Sequence, residues 1–211
     1  MTFMEPVLDT ESVRRISPGH KPGRTPASRL RLTIMALAWG LLACPCSWAQ
    51  RPKPSDYQVK AAYLYNFGRF VEWPRVATTK SGPFTVCVLG HDPFGSTLDA
   101  TMAGETIAGR NVVAKRISVP EESVNCEILF LSAAEAGRLN KIMEGLDKAA
   151  VLTVSDMPQF AQRGGMIQFV LEGNQVRFEV NLTATQHAGL TLSSDLLKVA
   201  TAVRKNPAGG D

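Results

Sequence analysis

GGMIQFVLEGNQVRFEVNLTATQHAGLTLSSDLLKVA, residues 164–200, is the stretch whose reading decides the fold. Two short apolar segments, residues 166–172 and 175–181, face each other across Gly173 and Asn174. Gly and Asn tolerate the positive φ angles of a tight turn, so the pattern predicts a β-hairpin. Its second arm alternates, with Val176, Phe178 and Val180 on one face and Arg177, Glu179 and Asn181 on the other. A helical run begins near Leu182 and ends near Gly189. A second follows Ser193 and Ser194, with Leu196, Leu197, Val199 and Ala200 on its apolar side.

Upstream, strands and helices alternate. Ser55 and Gln58 have the spacing of a capping box, so a helix starts there. Val59, Ala62, Tyr63, Phe67, Phe70 and Val71 form its expected apolar face, and Trp73-Pro74 ends it. The aromatic density of this helix is read as one buried face rather than a ligand stack. Residues 84–89 and 111–117 read as strands, 120–125 as a turn, and 126–131 as a third strand. Ser132 and Glu135 predict a capped helix to about Asp147, followed by a strand at 150–154 and a short helix within 155–163. The expected architecture is α/β: a three-layer sandwich with a mixed β-sheet flanked by helices, and a C-terminal β-hairpin followed by two helices.

The N-terminus reads differently. Arg24, Arg29 and Arg31 precede a short apolar run, residues 32–43, and then Ser47-Trp48-Ala49. Positive flank, apolar core and small residues before a cleavage point describe a signal peptide with a long n-region over residues 1–49. One domain over residues 50–211 would remain, exported in soluble form. A lipoprotein signal ending at Cys44 is the alternative; its preceding Leu42 fits poorly. The whole chain carries 23 Lys+Arg against 19 Asp+Glu. Without the leader the balance is 17 against 16, so no basic surface argues for nucleic acid.

Cys87 and Cys126 are the two cysteines left after the leader. An even pair in an exported protein reads as a disulfide, with two buried free thiols as the alternative. The search for chemistry finds no convergent set. His91 and His187 are far apart, no metal-ligand spacing occurs, and neither a nucleophile elbow nor a C-x-x-C is present after residue 49. No catalytic residue, metal or cofactor is therefore expected, and a binding or regulatory protein outranks an enzyme. Two places are candidate contact sites. Gly90, His91 and Asp92 lie where a strand turns into a helix, with Asp92 expected to cap a helix opening at Pro93. That turn is a candidate small-ligand site, though it lacks the phosphate-loop pattern. Arg177, Glu179 and Asn181 form a polar strand face, either merely solvated or a surface for a partner.

Three blocks carry a family resemblance: YQVKAAYLYNFGRFVEWP at residues 57–74, VCVLGHDPFG at 86–95 and RGGMIQFVLEGNQVRFEVNLTATQHAGLTLSSDLLKVA at 163–200. In that order they resemble the YfiR/HmsC family of periplasmic regulators. The resemblance implies an α/β fold, frequent dimers and redox sensitivity through disulfides. It also implies a function: repression of an inner-membrane diguanylate cyclase through its periplasmic sensor region, lowering cyclic di-GMP and biofilm formation. An outer-membrane lipoprotein that sequesters the repressor is the implied second partner. Cys87 and Cys126 match one cysteine pair of the family; a second pair has no counterpart here. Glu179 falls on the RFEVN block, within the family's functional segment. A periplasmic small-molecule-binding protein without cyclase control is the alternative.

Overall fold

Eight strands form one mixed sheet, and helices cover both of its faces. The computed structural model describes residues 54–74, 82–147 and 149–205. The expected leader lies outside the described residues. In chain order the elements are α1 (Asp56–Phe70), β1 (Val71–Glu72), β2 (Phe84–Leu89), α2 (Ser96–Met102), β3 (Thr106–Ile107) and β4 (Arg110–Ile117). A 3₁₀ turn (Pro120–Asn125) leads to β5 (Ile128–Leu131), and a second (Ala133–Arg138) leads to α3 (Leu139–Gly145). Then come β6 (Leu152–Ser155), β7 (Ile167–Glu172), β8 (Gln175–Asn181), α4 (Leu182–His187), β9 (Thr191–Leu192), α5 (Ser194–Val199) and β10 (Ala202–Arg204).

The sheet order is β10-β8-β7-β6-β5-β2-β4-β3. Its centre, from β4 to β7, is parallel, whereas β7–β8 and β3–β4 are antiparallel hairpins. Strands covered on both faces favour apolar residues throughout, which is why β2 and β5 read as apolar runs, while β6 buries Thr153 and Ser155 with their hydroxyls hydrogen-bonded. Alternate residues go to opposite layers. Val86, Val88, Phe130 and Val154 pack with Leu64 and Phe67 of α1 and Leu98 of α2. Cys87, Leu89, Leu129 and Leu131 pack with Leu139 and Ile142 of α3 and with Phe160. This is the three-layer α/β sandwich expected from the sequence.

The hairpin forms as predicted. Phe169 pairs with Phe178 and Glu172 with Gln175. Gly173 and Asn174 take φ of 53° and 62°, the pair of positive values that a two-residue turn of this hand requires. The capping box of α1 is also present: the Ser55 hydroxyl accepts from the Gln58 N–H, and the Gln58 amide oxygen accepts from the Ser55 N–H.

Several expectations need correction. The buried face of α1 is Lys60, Ala61, Leu64, Phe67 and Gly68, rotated from the apolar stripe, and Phe70 is exposed. A lysine and a glycine on the sheet side hide the true face from a hydrophobicity pattern. Gly68 lets the sheet approach closely: a Cβ would stand 2.4 Å from Ile107 Cδ1, so that side chain would have to move aside. No helix opens at Pro93. Gly95 sits at φ 54°, ψ −141° and delays the helix to Ser96, while Asp92 caps only the local bend by accepting from the Phe94 N–H. Ser132 caps a 3₁₀ turn, and Glu135 does not close a box but pairs with Arg138. The segment expected as a short helix within 155–163 is a series of turns, broken by Gln159 at φ 60°. Strand β10 was not foreseen; it adds in parallel to β8, pairing Ala202 with Glu179.

Candidate functional site

The expected polar strand face of β8 divides into three different environments. Arg177 is exposed. Glu179 accepts from both Nε and Nη2 of Arg204 at 3.0 and 2.8 Å, because β10 lies alongside. Asn181 is buried: its amide donates to the Ala161 carbonyl at 2.8 Å, and its oxygen accepts from the Ala184 N–H as the cap of α4. Asn181 therefore shapes the fold beneath the surface. Val170, which pairs with Arg177 across the hairpin, is the half-buried apolar neighbour on that face.

The turn Gly90–Asp92 lies at the carboxyl end of β2. Gly90 has φ 89°, and a Cβ there would come within 2.6 Å of a Glu135 carboxylate oxygen. His91 is exposed. Asp92 accepts from Arg116 Nε at 2.8 Å through its other oxygen, and the same guanidinium reaches Asp99 at 2.6 Å. Arg116 thus holds the Asp99 carboxyl below the usual carboxylate range. Both Asp92 oxygens serve the protein itself, and none of these three residues lines any of the three described cavities.

Cys87 of β2 and Cys126, which follows the first 3₁₀ turn, are joined in a disulfide with a Cα–Cα separation of 5.9 Å. Both are fully buried in the second core layer.

A polar cluster that the sequence did not reveal sits under α1. Lys60 Nζ lies 2.6 Å from Asp156 Oδ2, and the Tyr57 hydroxyl donates to the same oxygen at 3.0 Å. The ammonium also stands 4.2 Å from the centre of the Tyr57 ring. These residues are 96 and 99 positions from their partner, so no local motif announces them. Burial, with the Asp156 charge adding to it, pushes the Tyr57 phenol up to about 12. A folded pKa above the unfolded value means that the native state holds its proton longer. The Tyr57 contribution to stability is therefore complete below about pH 10 and is lost as pH rises toward 12. In an alkaline absorbance titration, Tyr57→Phe should remove a late-ionising tyrosine; a variant whose late phase is the same as that of wild type would refute the contact.

No group of histidine, cysteine and acidic side chains among the described residues is arranged to hold a metal. Among them, also, no helix is long and apolar enough to cross a membrane.

The sequence profile of the YfiR/HmsC-like family matches residues 57–201, most of the chain and all but the last strand of the described sheet. The chain belongs to the YfiR/HmsC-like family. Members are periplasmic regulators of cyclase signalling rather than enzymes, and that general class is what membership supports. No curated protein matches the chain. Solved structures similar to this YfiR/HmsC-like chain include a conserved domain protein from Vibrio cholerae O1 biovar El Tor: 11% identity, 57% of this chain, 55% of that chain, TM-score 0.43. Another is an ABC domain in complex with L-Trp from Streptococcus pneumoniae, at 11% identity, 71% and 60% coverage and a TM-score of 0.47. The chain thus spans little more than half the length of either.

Proposed function

We propose that this protein represses an inner-membrane diguanylate cyclase by binding its periplasmic sensor region, and so lowers cyclic di-GMP and biofilm formation. The observation that carries the reading is the family match over residues 57–201. The mechanism is a population shift. The repressor holds the sensor in the state that keeps the cyclase inactive, and its effect can be no larger than its differential affinity for the two sensor states. A homodimer is the proposed binding form, and an outer-membrane lipoprotein that sequesters it is the proposed release mechanism.

The contact surface we assign is the outer face of the β7–β8 hairpin, with Arg177, Val170 and the Glu179–Arg204 pair. It is held by the antiparallel ladder from below and by β10 along its edge, so it is offered with little ordering cost. Arg177 is exposed and free to change, so Arg177→Glu should leave stability within about 0.5 kcal/mol of wild type. The same change should weaken binding to the purified sensor region by about tenfold, mainly through the association rate. Equal affinity would remove this face from the interface. Absence of any complex between the wild-type protein and the cyclase sensor regions of its own cell would contradict the proposal itself.

A further inference from the structure

Where α1 ends, a cleft of about 660 Å³ opens between the helix terminus, β1 and the β3–β4 hairpin, at the end of β2 opposite the Gly90 turn. Its size is that of a small-molecule site. Phe84 and Ile107 provide apolar wall, and Trp73 meets Phe84 edge-on at 5.3 Å. Arg110 and Glu127 supply the polar floor, and they already satisfy each other. Arg110 Nη2 lies 2.7 Å from Glu127 Oε1, and the second Glu127 oxygen accepts from the Thr85 N–H at 2.7 Å.

Two features of this cleft lack a partner among the described residues. The Trp73 indole N–H is buried without an acceptor among the described residues, which a native structure rarely leaves so. Arg69, on the cleft wall, stacks on Tyr65 at 5.8 Å but has no ion-pair partner among the described residues. Ala108, also in the wall, holds φ 50° because it and Gly109 form the two-residue turn of the β3–β4 hairpin. The other charged residue lining the cleft is Glu72, which is exposed.

We infer that this cleft binds a small monocarboxylate with an apolar body. The body lies against Trp73, Phe84 and Ile107. The carboxylate takes the Arg69 guanidinium, and a modest turn of the indole brings its N–H onto a carboxylate oxygen. A single negative charge is specified because Glu72 lines the cleft together with Arg69, and the Arg110–Glu127 pair of the lining is already neutral. Among the described lining residues, a multiply charged anion would meet that carboxylate with Arg69 as the one unpaired cation. Nothing in this inference depends on the cyclase reading, since binding is read on the purified protein alone.

The probe is phenylacetate, with 2-phenylethanol as its uncharged counterpart and inorganic phosphate as the bare anion. Intrinsic fluorescence and calorimetry are followed in the wild type, Arg69→Gln and Trp73→Phe, each checked for folding by thermal melting. The chain has three tryptophans, so the difference between wild type and Trp73→Phe isolates the cleft signal. Phenylacetate should saturably shift the Trp73 emission. The alcohol, and phenylacetate on Arg69→Gln, should each bind about tenfold more weakly, a difference of about 1.4 kcal/mol. Trp73→Phe should also weaken phenylacetate by calorimetry, and phosphate should not compete. Three results would each overturn the assignment: no saturation at millimolar phenylacetate, equal binding of acid and alcohol, or calorimetric binding unchanged in both folded variants.

Discussion

Replacing Cys87 and Cys126 together by alanine is expected to destabilise the protein by about 4 kcal/mol and to lower its melting midpoint by about 10 °C. The bridge spans a sequence separation of 39 residues. Closing a loop of that length removes chain entropy from the unfolded state corresponding to about 4 kcal/mol in the entropic model. The segment it encloses contains α2, β3, β4 and the first 3₁₀ turn, so one whole flank of the sheet loses its covalent tie. Alanine is the informative replacement, since serine would bury a hydroxyl in the layer formed by Leu89, Leu129 and Ile142. Melting of the wild type with and without reductant should show the same fall. A double-alanine protein within about 1 kcal/mol of wild type would show that the bridge contributes little beyond packing.

The second large effect concerns Lys60. Lys60→Met is expected to cost about 3 kcal/mol, because it leaves the Asp156 carboxylate under α1 without its counter-charge. The Lys60 and Asp156 side chains are only 8% and 17% exposed, so water cannot replace the lost partner. Removing both charges, as Lys60→Met with Asp156→Asn, should recover most of that loss, since a well-packed neutral pair carries no desolvation cost. The double-mutant cycle measures this as a coupling of about 2 kcal/mol. Strictly additive losses would mean that the two residues act separately and that the pair does not fasten the helix to the segment after β6.

Legibility in the sequence followed the range of the interactions. The hairpin was readable because Gly173-Asn174 and the alternation from Val176 to Val180 are local and steric. The strands of the sheet centre were readable because burial on both faces demands unbroken apolar runs. The start of α1 was readable from Ser55 and Gln58, but its buried face was not. That face is fixed by Asp156 neutralising Lys60 and by Ile107 approaching Gly68, contacts made far along the chain. The bend at Asp92 went the other way from its local signal, because Arg116 of β4 takes one carboxylate oxygen and Gly95 adopts a backbone that interrupts a helix.

The site residues show the same division. Arg177, Glu179 and Asn181 share a strand face by simple alternation, yet only Arg177 is exposed. Glu179 is tied to Arg204 by a three-residue strand too short to leave a pattern, and Asn181 is taken up as a helix cap. Trp73 was legible as an aromatic but not as a buried donor unpaired among the described residues, since that property depends on what Phe84 and its surroundings place around it.

The most direct test of the repressor reading is the cellular cyclic di-GMP level in a strain lacking this gene, compared with its parent and with a complemented strain in which the protein is made. A rise on deletion that complementation reverses, and that an Arg177→Glu protein reverses less well, is the result predicted. An unchanged level, under conditions where the parent expresses the protein, would contradict control of a diguanylate cyclase.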